Sequence, residues 1–237
     1  MNNVRILVII PAFNEQDNIV KAIQDLNDNY PEADYVVIYD CSTDHTREIL
    51  NGNGYNYVDL PINLGIGGSV QTGFLYAAEH DYDIAVQMDG DGQHNASYID
   101  KLVLPIVSGK ADMTIGSRYV EKEGFQSSAL RRIGINFLST LIKACTGTRI
   151  CDVTSGFRAF NRKCIRLFSD EYAQDYPEPE AIVRAVCNGM SIVEVPVVMN
   201  ARTSGSSSIF GLKSIYYMIK VSMAIILLRL TLKKRYN

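Results

Sequence analysis

At 237 residues, 47% of them hydrophobic and 21% charged, the chain is long enough for one large or two small globular domains, and its composition is that of a globular protein and not of a disordered one. The net charge of −3 is unevenly distributed: no Asp or Glu follows Glu194, so residues 195–237 carry +7 and the first 194 carry −10. Its cysteines (Cys41, Cys145, Cys151, Cys164 and Cys187) form no CxxC pair and no Cys/His zinc spacing, so they read as free thiols in a reducing compartment.

Val4–Ile10 is a near-continuous apolar run, as a parallel strand buried on both faces should be, and it follows Met1-Asn2-Asn3 with no signal-peptide pattern. Pro11-Ala12-Phe13-Asn14-Glu15 then opens a helix over about 17–27, apolar at Ile19, Val20, Ile23 and Leu26. Tyr35–Tyr39 is a second strand, ending in Asp40-Cys41-Ser42-Thr43-Asp44. Ser42, Thr43 or Asp44 can cap the helix that runs on to about Leu50. Tyr55–Leu60 is a third, short strand. Asn63-Leu64-Gly65-Ile66-Gly67-Gly68 reads as a loop before a helix over about 69–79, and its glycines match neither GxGxxG nor a Walker A loop.

Ile84–Met88 is the fourth strand, and it runs into Asp89-Gly90-Asp91-Gly92-Gln93-His94. Carboxylates at i and i+2 of extended backbone share a side, and the glycines let the chain turn so that both face one ion. Hard oxygen ligands of this kind, with the Gln93 amide two residues on, suit Mg²⁺ or Mn²⁺ shared with a substrate phosphate. The stretch alone also fits an acidic turn after a strand.

Ala111–Ile115 is the next strand, ending at Gly116-Ser117-Arg118-Tyr119, where a guanidinium can clamp phosphate oxygens. Residues 120–130 are polar. The helix over about 130–145 begins with Arg131 and Arg132, which oppose the macrodipole there and so read as placed for an anion. Asp152–Arg158 is a further polar cluster, leading into Ala159–Phe160 and a short helix. Asp175–Glu180 precedes a helix capped at Asn188-Gly189. Ile192–Val198 is a strand whose Pro196 marks an edge position. A polar loop from Arg202 to Ser208 leads to a helical segment over about 211–232.

Strand, loop and helix repeat, which predicts an α/β fold with a doubly wound, mostly parallel sheet and helices on both faces. Such sheets bind ligands beyond the carboxyl ends of their strands, where Asn14, Glu15, Asp40, Asp44, Asn63, Asp89 and Asp91 all fall.

With these seven anchors in this order, the chain resembles glycosyltransferase family 2 enzymes of the GT-A fold, in the branch of dolichyl-phosphate mannosyltransferase and bacterial polyprenyl-phosphate glycosyltransferases. They are residues 11–15, 40–44, 63–65, 89–94, 116–119, 155–158, and Arg202 with Gly205-Ser206, and the likeness spans about residues 4–208. The resemblance implies that Pro11, Phe13, Glu15, Ile38 and Asp40 hold the nucleoside of a UDP- or GDP-sugar, with Asp40 on the base. It further implies that Asp89, Asp91 and Gln93 hold Mg²⁺ or Mn²⁺ on the diphosphate, with Gly90 between the carboxylates. Arg118, Arg132, Arg202 and Ser206 would face donor or acceptor phosphates. Asp91, Arg118 and Glu180 would be catalytic, and configuration would invert. Three departures stand out: Tyr39 where members carry Asp or Asn, Cys41 where they carry Gly, and no basic residue in Gly65-Ile66-Gly67.

A polyprenyl phosphate acceptor is already an anionic nucleophile, whereas a hydroxyl of a lipid-linked glycan needs a base, for which Glu180 and Glu178 are the candidates. The expected organisation is a catalytic domain over 1–210 and a basic, apolar helix over 211–237. Lys220 and Arg229 interrupt Ile215–Leu230, which makes it a poor membrane span. It reads instead either as a helix lying on an anionic cytoplasmic leaflet or as a core-packed or oligomer-forming helix. Basic residues confined to this apolar tail, in a chain without Trp, argue against nucleic-acid binding. A nucleotidyltransferase would show a Gly-rich basic loop after the first strand, which Pro11–Glu15 is not. A donor-binding scaffold without turnover is the non-enzymatic alternative.

Overall fold

In the computed structural model, which describes residues 4–121, 129–200 and 212–235, the first apolar run forms β1 (Ile6–Ala12). Its alternation sends Leu7 and Ile9 into one core and Val8 and Ile10 into another, on opposite faces of a sheet. The chain continues through α1 (Ile19–Asn29), β2 (Asp34–Tyr39), α2 (Thr46–Gly52), β3 (Tyr57–Asp59), α3 (Gly65–Glu79) and β4 (Ile84–Gln87). It then forms α4 (Ile99–Val107), β5 (Met113–Ser117), α5 (Ala129–Thr146), β6 (Arg158–Asn161), α6 (Arg162–Asp170), α7 (Pro177–Cys187), β7 (Ile192–Pro196) and α8 (Leu212–Arg235).

The strands form one seven-stranded sheet in the order β3-β2-β1-β4-β6-β5-β7. All neighbours are parallel except β6, which is antiparallel to both β4 and β5. The doubly wound, mostly parallel expectation is met, and β7 with its Pro196 lies at the edge. Because β6 runs the other way, its N-terminal end shares an edge with the carboxyl ends of β1, β2 and β4, Arg158 pairing with Gln87. The loop over residues 152–157 is thereby delivered to the same edge as the loops after β1, β2 and β4.

Two elements differ from the expectation. The glycines at 65–68 are the first turn of α3, not a loop preceding it, so the helix starts four residues early. A side chain on Gly67 would come within 2.3 Å of the Ala173 carbonyl oxygen, so the glycine serves close packing of the helix start. The second is α4, which was not expected; its buried residues Ile99, Leu102, Val103 and Ile106 do follow helical spacing, with Pro105 interrupting the pattern. In the last helix, Val221 and Ile225 are fully buried in the core that holds Leu7, Ile9 and Phe74, so α8 packs on the body of the molecule.

Candidate active site

The loops after β1 and β2 are stapled together by short polar side chains. The Asn14 N–H donates to Ser42 Oγ at 3.0 Å, Thr43 N–H to Asn14 Oδ1 at 2.8 Å, and Glu15 N–H to Thr46 Oγ1 at 3.0 Å. The N-cap of α2 is His45, which makes no side-chain cap, and Asp44 just before it accepts from Thr46 N–H and Oγ1–H and from Gln16 N–H. Burial opposes its ionisation, but these hydrogen bonds outweigh burial and hold its carboxyl below the usual range. Asn14 and Cys41 sit at φ 57° and 51°, so Cys41 occupies a left-handed position of the kind glycine takes at least cost.

Asp40 is buried and accepts the Leu64 N–H at 2.6 Å, which ties the start of α3 to the end of β2. Phe13 is 46% exposed beside this loop, and Glu15 accepts from the Asn18 side chain at 2.9 Å. Pro11 pairs in register with Ile38. The Ile38 side chain lies wholly in the core, so an expected nucleoside contact there is limited to backbone. Tyr39, the large departure, is also buried in a core: its ring meets Tyr57 edge-on at 6.3 Å, and its hydroxyl donates to the Ser42 carbonyl. Burial pushes that phenol above its ordinary value.

The acidic loop follows β4. Asp91 is buried and accepts the Gln93 N–H at 3.0 Å, while the Gln93 backbone carbonyl receives Asn200 N–H. Asp89 is more open, its side chain 33% exposed. Its N–H donates to His94 Nδ1 at 2.9 Å, and its carboxylate lies 3.5 Å from Gln87 Nε2 and 3.7 Å from His94 Nε2. Gly156 lets the loop over 152–157 approach this carboxylate, for an added Cβ would stand 2.9 Å from Asp89 Oδ2. Among the described residues no group of three His, Cys, Asp or Glu side chains is placed to hold an ion by itself. The expected donor set, the Asp89 and Asp91 carboxylates with the Gln93 amide oxygen, fits an ion that takes its remaining oxygens from a substrate diphosphate, as Mg²⁺ does.

The arginines divide. Arg118 is buried and bound through Nε and Nη2 to Asp152, both at 2.8 Å, so it does not stand as an uncompensated phosphate clamp. Burial works against its charge, but the Asp152 pair more than restores it. Arg132, in the first turn of α5, lies over the Tyr119 ring at 3.9 Å. Arg202 and Ser206 lie outside the described residues. Arg158, which was not singled out, is completely buried and donates to the carbonyls of Ser155, Val153 and Glu178.

Glu178 and Glu180 sit in the first turn of α7, roughly 200° apart around the axis. Glu178 is the one on the Asp89 side: burial raises its carboxyl pKa, Arg158 opposes that rise and Asp89 adds to it. Glu180 couples to Arg184 and Asp175 instead, and burial raises it too. Among the described residues, the buried Tyr172 hydroxyl near Glu178 has no hydrogen-bond partner, nor does Gln87 Oε1 beside Asp89. Asp152 and Arg158, seen in the sequence only as part of a polar cluster, and His94, the last residue of the acidic run, thus stand in one site with Glu178, one of the two candidate bases.

A family model described as Glycosyl transferase family 2 matches residues 7–168. Over 230 residues the chain is 31% identical to an uncharacterized protein of Methanocaldococcus jannaschii, covering 92% of this chain and 93% of that one. It is 29% identical to polyprenol monophosphomannose synthase of Mycolicibacterium smegmatis, covering 92% and 86%. It is likewise 29% identical to UDP-N-acetylglucosamine–dolichyl-phosphate N-acetylglucosaminyltransferase of Methanococcus voltae, covering 94% and 98%. Glucosyl-3-phosphoglycerate synthase of Mycobacterium tuberculosis, crystallised with Mn²⁺, UDP-glucose and phosphoglyceric acid, superposes with a TM-score of 0.74 at 19% identity, over 95% of this chain and 79% of that one. At that identity the likeness is one of fold.

Proposed function

The chain belongs to glycosyl transferase family 2, and from that premise we propose that it moves a sugar from a UDP- or GDP-sugar to a polyprenyl phosphate, with inversion and with Mg²⁺ or Mn²⁺. The observation that carries the reading is the placing of Asp89 and Asp91 at the sheet edge where the β1 and β2 loops also end. Relatives aligned over nearly the whole chain and named for polyprenol- or dolichyl-phosphate acceptors support the acceptor class.

In this reading Asp40 and the stapled loops 13–16 and 40–46 form the floor for the nucleoside. Asp89 and Asp91 are the residues that would hold the ion, which when bound supplies Lewis-acid neutralisation of the leaving diphosphate. Arg132 would add charge-assisted hydrogen bonds to a phosphate, and Arg202 and Ser206 are proposed for the same role. Glu178 has no proton to remove when the acceptor is an anionic phosphate oxygen.

We place the enzyme at the cytoplasmic face of a membrane, lying on the surface through α8. In support, Tyr216, Ile219, Met223, Leu227 and Leu230 are exposed on that helix, and the segment that carries it has no acid. Among the described residues no helix is long and apolar enough to cross a membrane.

One observation favours a second reading. A half-buried Glu178 coupled to Asp89 is where a general base for a hydroxyl acceptor, such as a lipid-linked glycan, would be needed. The test is transfer from a panel of UDP- and GDP-sugars, with Mn²⁺ or Mg²⁺, to undecaprenyl phosphate. Metal-dependent transfer that survives Glu178→Gln within a few-fold supports the phosphate acceptor. Transfer only to hydroxyl acceptors, lost about 10²- to 10⁴-fold in Glu178→Gln, overturns it in favour of the base reading. Donor binding without turnover on either acceptor would point to the scaffold.

A further inference from the structure

We propose that His94 is a positioning residue for the metal-binding carboxylate of Asp89, an inference that rests on the metal reading above. His94 is buried, and its ring is stacked on Phe157 at 4.8 Å and 11°, so it has little freedom to rotate. Its Nδ1 receives the Asp89 N–H at 2.9 Å, which requires a lone pair there and leaves the hydrogen of the neutral ring on Nε2. That nitrogen stands 3.7 Å from Asp89 Oδ2, longer than a hydrogen bond but near enough to orient the carboxylate electrostatically.

One ring therefore fixes both the backbone and the side chain of the same residue. The other oxygen, Asp89 Oδ1, is faced at 3.5 Å by Gln87 Nε2, from the last residue of β4. Gly156 and Phe157 close the arrangement from a segment more than sixty positions on. The glycine admits the carboxylate, with only 2.9 Å between a hypothetical Cβ and Asp89 Oδ2, and the phenyl ring holds His94. Outer partners of a ligating group that set its orientation typically change metal affinity about 10- to 100-fold when replaced.

Three substitutions separate the two arms of the ring. In His94→Asn a short amide oxygen can still accept the Asp89 N–H, but the shortened side chain no longer reaches the carboxylate. In His94→Gln the longer amide can reach the carboxylate. In His94→Phe the stack on Phe157 is kept and both nitrogens are lost. Mn²⁺ binding is titrated by electron paramagnetic resonance, alone and with UDP or GDP, alongside metal-free Tm and kcat and KM for the donor.

His94→Asn and His94→Phe are expected to weaken Mn²⁺ binding about 10- to 100-fold, with His94→Gln recovering most of it, whatever the order of their Tm values. Mn²⁺ affinity unchanged in all three folded variants, while Asp89→Asn abolishes it, overturns the assignment and leaves the metal reading intact. Affinity that falls in step with Tm in every variant, with no recovery in His94→Gln, overturns it as well, since only fold integrity would then be at stake. A wild-type protein that binds no Mn²⁺ under either condition overturns the metal reading and this assignment with it.

Discussion

The Arg118 guanidinium grips the Asp152 carboxylate with two hydrogen bonds of 2.8 Å, inside the protein and between the end of β5 and a loop more than thirty residues on. The Arg118 N–H bonds the same carboxylate at 3.2 Å. Asp152 is itself held by Glu194 of β7, whose carboxylate accepts the N–H groups of Cys151 and Asp152. Removing one partner of a buried pair strands the other charge without water. Asp152→Ala should therefore cost about 3–5 kcal/mol of stability, measured by urea unfolding. Arg118→Met/Asp152→Leu, which removes both charges, should recover most of that loss. A single mutant as stable as the wild type would show that the pair is not the anchor of this loop.

Asp112 makes a second staple, far from the acidic loop. Its carboxylate accepts Ser191 N–H and Oγ–H at 2.9 Å and Asn161 Nδ2–H at 2.7 Å, which joins the starts of β5 and β7 to the end of β6. Burial opposes ionisation, but the Ser191 and Asn161 bonds and Lys163 outweigh it, so its pKa is lowered. A carboxyl lowered in the native state contributes fully above its unfolded pKa and loses that contribution as pH falls through the native one. Asp112→Asn should be about 1.5–3 kcal/mol less stable at pH 7, and the deficit should shrink as pH drops below about 4. Unfolding curves at several pH values check this; a deficit independent of pH would remove the ionised carboxylate from the explanation.

Much of this fold was legible because its signals are local. Val4–Ile10 and Ile84–Met88 read as strands from their own apolar runs, and the polar residues at their ends fell on one edge as parallel topology demands. What was not legible depends on contacts between distant segments. The direction of a four-residue strand such as β6 leaves no trace in its periodicity, yet that reversal brings Gly156 and Phe157 over Asp89. Gly65, Gly67 and Gly68 resemble a loop until Ala173 is seen beside Gly67. Glu178 and Glu180 were both candidate bases, and only the turn of α7 shows that they point to different sides of the helix. That Asp152 is the buried partner of Arg118 is likewise announced by nothing in the chain.

The approach of Gly156 to Asp89 makes a prediction about turnover. In Gly156→Ala the new methyl group would stand 2.9 Å from Asp89 Oδ2, closer than real Cβ contacts permit, and a tight 3.1 Å from Gln87 Nε2. The yielding group is the carboxylate or the loop, each by a few tenths of an ångström. Displacement on this scale at a reacting centre costs up to roughly 10²-fold in rate. The expected result is a kcat about 10- to 100-fold lower with a folded, cooperative unfolding transition. A kcat unchanged in Gly156→Ala would mean that the Asp89 position is not critical.

The outward face of α8 supplies the last prediction. Val221 and Ile225 are buried against the body, while Met223 and Leu227 stand 57% and 58% exposed on the other side of the helix. Substitutions there should leave the fold within about 0.5 kcal/mol, because those side chains are exposed. An apolar side chain fully removed from water is worth about 1.5–3 kcal/mol, so losing one from a membrane-seated face should weaken partitioning roughly tenfold or more. Met223→Asp/Leu227→Asp should accordingly lose binding to vesicles of phosphatidylcholine with phosphatidylglycerol, and lose transfer to undecaprenyl phosphate in those vesicles. Donor binding in solution should be kept, since it rests on loops at the sheet edge. Like charge argues against a second copy on this face, because Lys220 lies on it and the segment holds no acid to pair with it. Sedimentation decides between the two partners: a wild-type dimer that the double mutant converts to monomer, with vesicle binding unaffected, would assign the face to self-association instead.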